Sequence, residues 1–314
     1  MAEEIKMVAT RESYGKTLVR LGEKNKDLVV MDADLSGSTK TGEFKKVFPE
    51  RFFNMGIAEQ DMYGAAAGLA LSGKVVCAST FAMFATGRAF EIIRNSIGYT
   101  KANVKICATH AGITVGEDGA SHQTFEDIAL MRTIPGMTVV NPSDGVSAEK
   151  LIEKVVEMYG PAYVRLGRAA VPIVYDEDEE FEIGKAKTIR EGNDVTIIAT
   201  GIMVAEALDA ADILKDEGIE ARVIDMFTIK PIDTEVIVKA AKETGAIVTA
   251  EEHSVIGGLG SAVCEVTAEE CPVKVRMVGQ LDTFGSSGKP EELKKEYHMT
   301  AADIVAAVRS ILQK

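Results

Sequence analysis

Short apolar runs rich in β-branched residues recur along the chain, and longer segments with helical periodicity separate them. In the first half, such runs predict buried strands at residues 28–32, 75–79, 104–109, 137–141 and 162–166. The intervening segments predict helices at residues 57–71, 88–100 and 148–159. Alternation of this kind is typical of a parallel sheet that is covered by helices on both faces.

Residues 175–182 then read Tyr-Asp-Glu-Asp-Glu-Glu-Phe-Glu, an acidic run that predicts a solvated linker. The alternation restarts after it, with predicted strands at 195–200, 222–226, 246–250 and 274–278 and predicted helices at 205–215, 234–244, 259–269 and 301–312. We therefore predict an α/β fold with two doubly wound, mainly parallel-sheet domains. The first spans residues 1–175, the linker 176–190, and the second domain 191–314.

The composition suits a globular chain and excludes some functions. Of the 314 residues, 46% are hydrophobic and 26% charged, which is enough to bury two cores. A net charge of -13 argues against nucleic-acid binding, and no apolar stretch is long enough for a membrane span. The acidic N-terminus and four cysteines without metal-ligand spacing (Cys77, Cys107, Cys264 and Cys271) lead us to expect a cytoplasmic protein with reduced thiols.

Chemically useful side chains follow several of the predicted strands in the first half. Ligands of open parallel sheets bind outside the carboxyl ends of the strands. There the sequence places an acid, a hydroxyl, two aromatic rings, a histidine and a guanidinium, namely Asp34, Ser38, Phe81, Phe84, His110 and Arg168. The strand ends of the second half carry Thr200, Asp225, Glu251, Glu252 and His253, and we interpret His253 as structural.

Five segments carry a resemblance that covers nearly the whole chain. They are Arg51-Phe-Phe-Asn-Met-Gly-Ile-Ala-Glu-Gln60, Ser79-Thr-Phe-Ala-Met-Phe84, Gly116-Glu-Asp-Gly-Ala-Ser-His-Gln123, Asn141-Pro-Ser-Asp144 and Phe284-Gly-Ser-Ser287. In this order they resemble signature segments of transketolases, which deoxyxylulose phosphate synthases share in part. The likeness is to the pyrimidine-binding and C-terminal domains of those enzymes, without their N-terminal, diphosphate-binding domain.

The resemblance implies that Glu59 is the acid that bonds to ring nitrogen N1′ of thiamine diphosphate and promotes its activation. An acid in this role must be shielded from water, so that its proton is shared with the ring. By the same resemblance, Ile57 and Asp34 also lie at the cofactor. The alternative for Glu59 is a residue placed to complement the dipole of the helix that it begins.

Phe81 and Phe84 match the aromatic side chains that cradle the pyrimidine in this family, although core packing is an alternative for both. The familiar transketolases have a tyrosine three residues after the second phenylalanine, where this chain has Gly87. The resemblance further implies that His122 faces the donor sugar near the reactive carbon and that His110 contacts its hydroxyls. Imidazole suits such proton transfers, whereas isolated loop histidines are usually surface or capping residues.

Asp118 is expected by resemblance to bind a sugar hydroxyl. Arg11, Ser38 and Arg168 are the candidates for a phosphate clamp, because a guanidinium matches two phosphate oxygens and a hydroxyl adds a donor. Any of the three is also consistent with an ordinary surface residue, and Arg165 competes with Arg168 for the same role; the family pattern favours Arg168.

Because the resemblance does not include the diphosphate-binding domain, we predict that a partner chain supplies it. Gly116-Glu-Asp-Gly119 opens like a magnesium–diphosphate motif, but no suitable asparagine pair follows it, so we predict no metal ligand on this chain. Mg²⁺ (or Ca²⁺) and the diphosphate would be held by an N-terminal transketolase subunit, in an α2β2 heterotetramer. The glycine- and alanine-rich segment 64–71 is consistent with a close helix contact between protomers, and equally with packing inside the domain.

The implied reaction is transfer of a two-carbon ketol unit between ketose and aldose phosphates. A deoxyxylulose phosphate synthase-like chain and a 2-oxo acid dehydrogenase beta subunit are the related alternatives, since both retain Glu59 and a stacking phenylalanine. His110 and the Gly116–Gly119 loop favour a polyhydroxylated sugar as the substrate. A module that binds a sugar phosphate without turning it over is the alternative of another class.

Overall fold

A computed structural model describes residues 6–312 of the chain. Its strands, in chain order, are β1 (Met7–Ala9), β2 (Leu28–Asp32), β3 (Phe52–Asn54), β4 (Val75–Ser79), β5 (Val104–Ala108), β6 (Thr138–Val140), β7 (Ala162–Arg165), β8 (Ala170–Pro172), β9 (Lys187–Arg190), β10 (Val195–Ala199), β11 (Ala221–Asp225), β12 (Thr228–Lys230), β13 (Ala246–Ser254) and β14 (Lys274–Gln280). Its α-helices are α1 (Thr10–Lys24), α2 (Ser36–Thr39), α3 (Gly42–Val47), α4 (Glu59–Leu71), α5 (Phe90–Ile92), α6 (Asp127–Thr133), α7 (Gly145–Glu157), α8 (Met203–Asp216), α9 (Thr234–Thr244), α10 (Leu259–Glu270), α11 (Pro290–Glu296) and α12 (Ala301–Leu312).

The strands form two large sheets and one small one. The first sheet has the order β12-β6-β7-β5-β4-β2-β3 and is parallel except for β12. The second has the order β14-β13-β10-β11-β9 and is parallel except for β9. β1 and β8 make a separate antiparallel pair. The predicted class, α/β with two mainly parallel sheets, is confirmed.

Helices cover both faces of each large sheet, because the central strands are apolar on both sides. One face of the first sheet packs against α4 and the other against α1 and α7. The second sheet is enclosed by α8 and α12 on one side and by α9 and α10 on the other. A helix of the length and apolar character that a bilayer crossing requires does not occur between residues 6 and 312.

The predicted strands and helices recur with small shifts at their ends, except in the segment predicted as a helix at 88–100. There the short helix α5 lies between two π-helical turns, Phe84–Arg88 and Ile93–Tyr99. A π turn accommodates one residue more than an α turn, and the 3.6-residue periodicity of the sequence does not reveal it. Arg88 is the last residue of the first of these turns.

The acidic segment expected to be a solvated linker keeps most of its carboxylates exposed, but its aromatic side chains anchor it to the protein. Tyr175 and Phe181 are buried, and Phe181 meets Tyr175 and Phe227 edge-on, with ring centroids 4.9 and 5.2 Å apart. Residues 187–190, placed in the predicted linker, form β9 at the edge of the second sheet. Conversely, β12 follows the second domain's strand β11 along the chain but pairs with β6 of the first sheet. Strand β12 therefore links the second half of the chain to the sheet of the first half.

A buried ionic network also joins the two halves. Arg165, at the end of β7, donates from Nε to Oδ2 of Asp127 at 2.7 Å and from Nη2 to the carbonyl oxygen of Glu252 at 2.8 Å. Its Nη1 lies 3.7 Å from Oε2 of Glu252. The Tyr163 hydroxyl donates to the same Asp127 oxygen at 2.6 Å. These buried charged groups are not hydrated, so each depends on its ionic and hydrogen-bonding partners for stabilisation.

We expect Arg165→Met to lower the free energy of unfolding by about 3–5 kcal/mol, because it leaves two buried carboxylates without their cation. Urea denaturation of the isolated chain measures the change. Arg309→Met is the matched control, since Arg309 pairs with Glu217 on an exposed surface and its loss should change stability little. Equal effects of the two substitutions would contradict a structural role for the network.

Candidate functional site

The carboxyl ends of β4 and β5 bring the predicted aromatic rings and histidines together. Phe81 follows β4 and makes an isolated bridge with Thr109, which follows β5. This bridge sets the Phe81 ring against the His110 ring, with centroids 3.9 Å apart and planes inclined by 21°. Phe84 stacks near Phe81 at 6.1 Å, and His122 meets the Phe84 ring edge-on at 5.4 Å. The four rings form one cluster, which we call the aromatic cluster.

Glu59 lies beside this cluster, at the start of α4, and only 2% of it is exposed. Its Oε2 accepts a bond from Nη1 of Arg88 at 2.9 Å. Its Oε1 receives a long contact of 3.4 Å from the Thr80 hydroxyl, close to the limit at which a hydrogen bond contributes. A buried carboxylate oxygen is normally well bonded, so Oε1 retains capacity for a donor from a ligand.

His110 is buried behind Phe81 and has a left-handed backbone, with φ of 59°. Its Nδ1 shares a hydrogen bond of 2.9 Å with the Thr109 hydroxyl. Burial lowers the pKa of His110 to about 3, and the positive charges of Arg11 and Arg168 act in the same direction. The imidazole is therefore neutral at physiological pH, and it acts as a donor and acceptor of hydrogen bonds rather than as a cation.

The second domain braces the loop that carries these histidines. Glu252 accepts the backbone N–H of Thr114 at 2.7 Å, and a side chain at Gly112 would collide with the Glu252 carboxyl. Gly112 also has φ of 79°, a conformation that glycine adopts readily. At the other end of the loop, Nε2 of Gln123 donates to the Ser286 carbonyl at 2.9 Å. The loop thus depends on the second domain for its position.

The candidate phosphate clamp is only partly assembled. Nη1 of Arg11 donates to the backbone carbonyl of Ser38 at 2.7 Å, so Ser38 contacts this guanidinium through its main chain and not through the predicted hydroxyl. Burial lowers the pKa of Arg11, and the neighbouring Arg168 adds to this effect, whereas Glu12 opposes it. Arg168 donates to the Val115 carbonyl.

Asp118 is exposed, and its Oδ2 lies 3.7 Å from Nη1 of Arg168. Glu117 approaches the same nitrogen at 3.6 Å. An incoming phosphate would compete with these two weakly held, solvent-accessible acids. Arg165, the competing candidate for the clamp, is 3% exposed and committed to the ionic network, so the structure leaves Arg168 as the accessible guanidinium.

Two predicted cofactor residues lie outside the aromatic cluster. Asp34, which has φ of 64°, bonds reciprocally with the side chain of Asn54, at 3.0 and 2.8 Å. Ile57 is 80% exposed, two residues before Glu59. An exposed isoleucine beside the site is a surface that another chain can cover.

Sequence reasoning missed Arg88, which touches Glu59 and lies over the Phe84 ring, with 4.8 Å between Cζ and the ring centroid. The sequence marks Arg88 only as an isolated arginine directly after Gly87. Gly87 lies in the same π turn, where an added Cβ would meet Cε of Met83 at 2.7 Å.

We expect His110→Gln to flatten the pH dependence of stability between pH 6.5 and 3. The ordinary histidine pKa is 6.5 and that of folded His110 is about 3, so the unfolded chain binds the extra proton in this window. Stability therefore falls as the pH falls, by about 1.4 kcal/mol per pH unit for one proton. Urea denaturation at several pH values measures the slope. An unchanged slope in His110→Gln would contradict the buried neutral imidazole.

Known proteins match the chain over nearly its whole length. The family described as transketolase, pyrimidine binding domain matches residues 6–174, and the family described as transketolase, C-terminal domain matches residues 184–304. A protein of Methanocaldococcus jannaschii assigned as a transketolase C-terminal section is 54% identical, over 97% of this chain and 96% of its own length. An apulose-4-phosphate transketolase subunit of Phocaeicola vulgatus is 44% identical, over 98% of this chain and 99% of its own length.

A solved structure gives the same result for the fold. It is described as a split gene transketolase, inactive beta4 tetramer, and it is 58% identical with a TM-score of 0.92, over 98% of this chain and 99% of its own. The chain described here belongs to the transketolase family and is similar throughout to subunits of its split members.

Proposed function

We propose that this chain is the C-terminal subunit of a thiamine diphosphate-dependent transketolase, which moves a two-carbon ketol unit between ketose and aldose phosphates. The observation that carries the proposal is the buried Glu59 carboxyl with one poorly bonded oxygen, beside the exposed part of the Phe84 ring. A carboxyl withdrawn from water next to an aromatic surface is suited to a flat, hydrogen-bonding heterocycle.

The residues present fit the aminopyrimidine end of the cofactor. Oε1 of Glu59 has the capacity to share a proton with the ring, and Phe81 and Phe84 supply the apolar surface around it. Ile57 and Asp34 are assigned to the rim of the same site. Thiamine diphosphate bound here would supply carbanion chemistry at the ketone of the donor sugar. This chain's part is to hold the ring, to exclude water from Glu59 and to move the proton at Oε1.

The histidines serve the sugar rather than the cofactor in this proposal. His110 is neutral and buried, so it offers a fixed hydrogen bond to a sugar hydroxyl. His122 is more accessible, with Nδ1 bonded to the Ser121 hydroxyl at 3.0 Å, and is assigned to the proton transfers of the donor carbon. Asp118 is assigned to a hydroxyl further along the sugar.

Arg11, Ser38 and Arg168 are assigned to the sugar phosphate. Both guanidinium groups lower the pKa of His110, which supports a positive charge close to the proposed sugar site. The overall charge of -13 makes these local cations necessary for an anionic substrate.

A partner chain completes the proposed enzyme. Within residues 6–312, no three His, Cys, Asp or Glu side chains lie together in a group that could hold a metal ion. We assign the diphosphate and its Mg²⁺ (or Ca²⁺) to an N-terminal transketolase subunit, in an α2β2 assembly. The relative in Phocaeicola vulgatus is described as a subunit, and the solved relative as a split gene product that is inactive as a beta4 tetramer. Both descriptions support a division of the site between chains.

A deoxyxylulose phosphate synthase-like enzyme or a 2-oxo acid dehydrogenase beta subunit would use the same Glu59 and aromatic rings. The position of His110 and Asp118 on one braced loop favours a substrate with several hydroxyls. Assays of the assembled pair with xylulose 5-phosphate and with pyruvate separate these activities. Decarboxylation of pyruvate without use of the sugar phosphate would overturn the transketolase assignment.

We expect Glu59→Gln in the assembled enzyme to lower kcat by about 10³-fold or more, because the amide cannot exchange a proton with the ring. Coupled assays of ketol transfer at saturating cofactor measure the change. Glu157→Gln, at the end of α7 and on the surface, is the matched control and should keep wild-type activity. Full activity of Glu59→Gln would remove this carboxyl from the mechanism.

We expect Arg168→Met to raise KM for phosphorylated sugars by about 10–100-fold, since a charge-assisted contact to phosphate contributes about 1.5–3 kcal/mol. The effect should nearly vanish for the corresponding unphosphorylated sugar. The exposed Arg276→Met serves as the control for loss of one positive charge. An equal loss with both kinds of sugar would assign Arg168 to the loop, not to the phosphate.

A further inference from the structure

Arg88 is held in place from two sides. Its guanidinium bonds to Oε2 of Glu59 at 2.9 Å and lies over the Phe84 ring, 4.8 Å from the centroid. Its carbonyl oxygen accepts a bond of 3.3 Å from Nε2 of Gln60. The side chain is 49% exposed, whereas that of Glu59 is 2% exposed. A flexible arginine is thereby fixed against a buried acid.

The backbone supports this placement. Arg88 is the last residue of the π turn Phe84–Arg88, and the Thr86 hydroxyl within this turn donates to the Ala82 carbonyl at 2.8 Å. π turns are uncommon and occur frequently at functional sites. In this chain the turn follows directly on the segment that carries Phe81 and Phe84.

The two carboxyl oxygens of Glu59 therefore differ in how strongly they are hydrogen-bonded. Oε2 has a short, charge-assisted partner in Arg88, whereas Oε1 has only the 3.4 Å contact with Thr80. A cation beside a carboxylate favours its charged form over its protonated form. When the Glu59 carboxyl shares one proton with a ligand, the Arg88 charge therefore favours the state in which the ligand holds the proton.

We propose that Arg88 is a positioning residue which fixes the Glu59 carboxylate through Oε2 and biases the proton shared at Oε1 towards the pyrimidine ring. This inference rests on the proposed function, and it assigns a role to a residue that acts through Glu59 rather than on the sugar. The extra residue of the π turn is the means by which the fold brings the guanidinium to Glu59.

The test uses the enzyme assembled with its partner chain and saturated with thiamine diphosphate, as wild type, Arg88→Gln, Arg88→Lys and Arg94→Gln. Arg94 is the matched control, because it is exposed in the neighbouring π turn and bonds to Asn95. Near-ultraviolet circular dichroism measures the fraction of bound cofactor in its imino form at fixed pH. Hydrogen–deuterium exchange at C2 of the thiazolium measures activation independently of turnover.

Arg88→Gln should lower both the imino fraction and the exchange rate by roughly tenfold, the effect of losing one nearby charge. KM for the sugars should change by less than about twofold, because Arg88 is assigned no contact with substrate. Arg88→Lys should recover most of the loss, and Arg94→Gln should match the wild type. If the Arg88→Gln enzyme does not assemble, Arg88→Met and Arg88→Lys provide the test. A wild-type imino fraction in Arg88→Met, or a full loss of the imino form in Arg88→Lys, then overturns the proposal.

An unchanged imino fraction and exchange rate in Arg88→Gln also overturns it. This outcome is distinguishable from failure of the proposed function. An active Glu59→Gln enzyme removes the function assigned to Glu59 whatever Arg88 does. An inactive Glu59→Gln enzyme together with a wild-type imino fraction in Arg88→Gln removes only the role of Arg88.

Discussion

The site depends on the state of one carboxyl group that the fold withdraws from water. Glu59 begins α4 at the edge of the first sheet, and the residues around it leave it 2% exposed. A buried carboxylate requires compensation, which Arg88 provides at one oxygen and the proposed ligand would complete at the other. The aromatic cluster limits what that ligand is, since its surface suits a flat ring. In the proposed function, binding, water exclusion and proton transfer all follow from this one partly satisfied group.

The second domain has a definite structural task at this site. Its Glu252 side chain accepts the backbone N–H of Thr114, near the start of the loop that carries His122. Its Ser286 carbonyl accepts a bond from Gln123 at the end of the same loop. The ionic network around Arg165 holds Glu252 itself in place. The segment from Thr114 to Gln123, which carries His122, is thus held by contacts across the junction between the two halves. The second domain thus contributes to the site by positioning this segment.

Much of this arrangement is predictable from the sequence, for physical reasons. The parallel strands are continuous apolar runs, and the rule that ligands bind at their carboxyl ends selects Phe81, Phe84 and His110 before any family is considered. What the sequence conceals depends on long-range packing. The strand β12 and the edge strand β9 are short and lack a periodic signal, and the partnership of Glu252 with Thr114 spans 138 residues. Arg88 is hidden for a local reason, because a π turn shifts the side chain out of ordinary helical register.

The most direct test of this account is a crystal structure of the chain assembled with its N-terminal partner and thiamine diphosphate. The account predicts that Oε1 of Glu59 lies within about 3 Å of N1′ of the pyrimidine, with Phe84 against the ring and the diphosphate held by the partner. A cofactor bound elsewhere, with the Glu59 carboxyl turned into solvent or bonded only to Arg88, would contradict it.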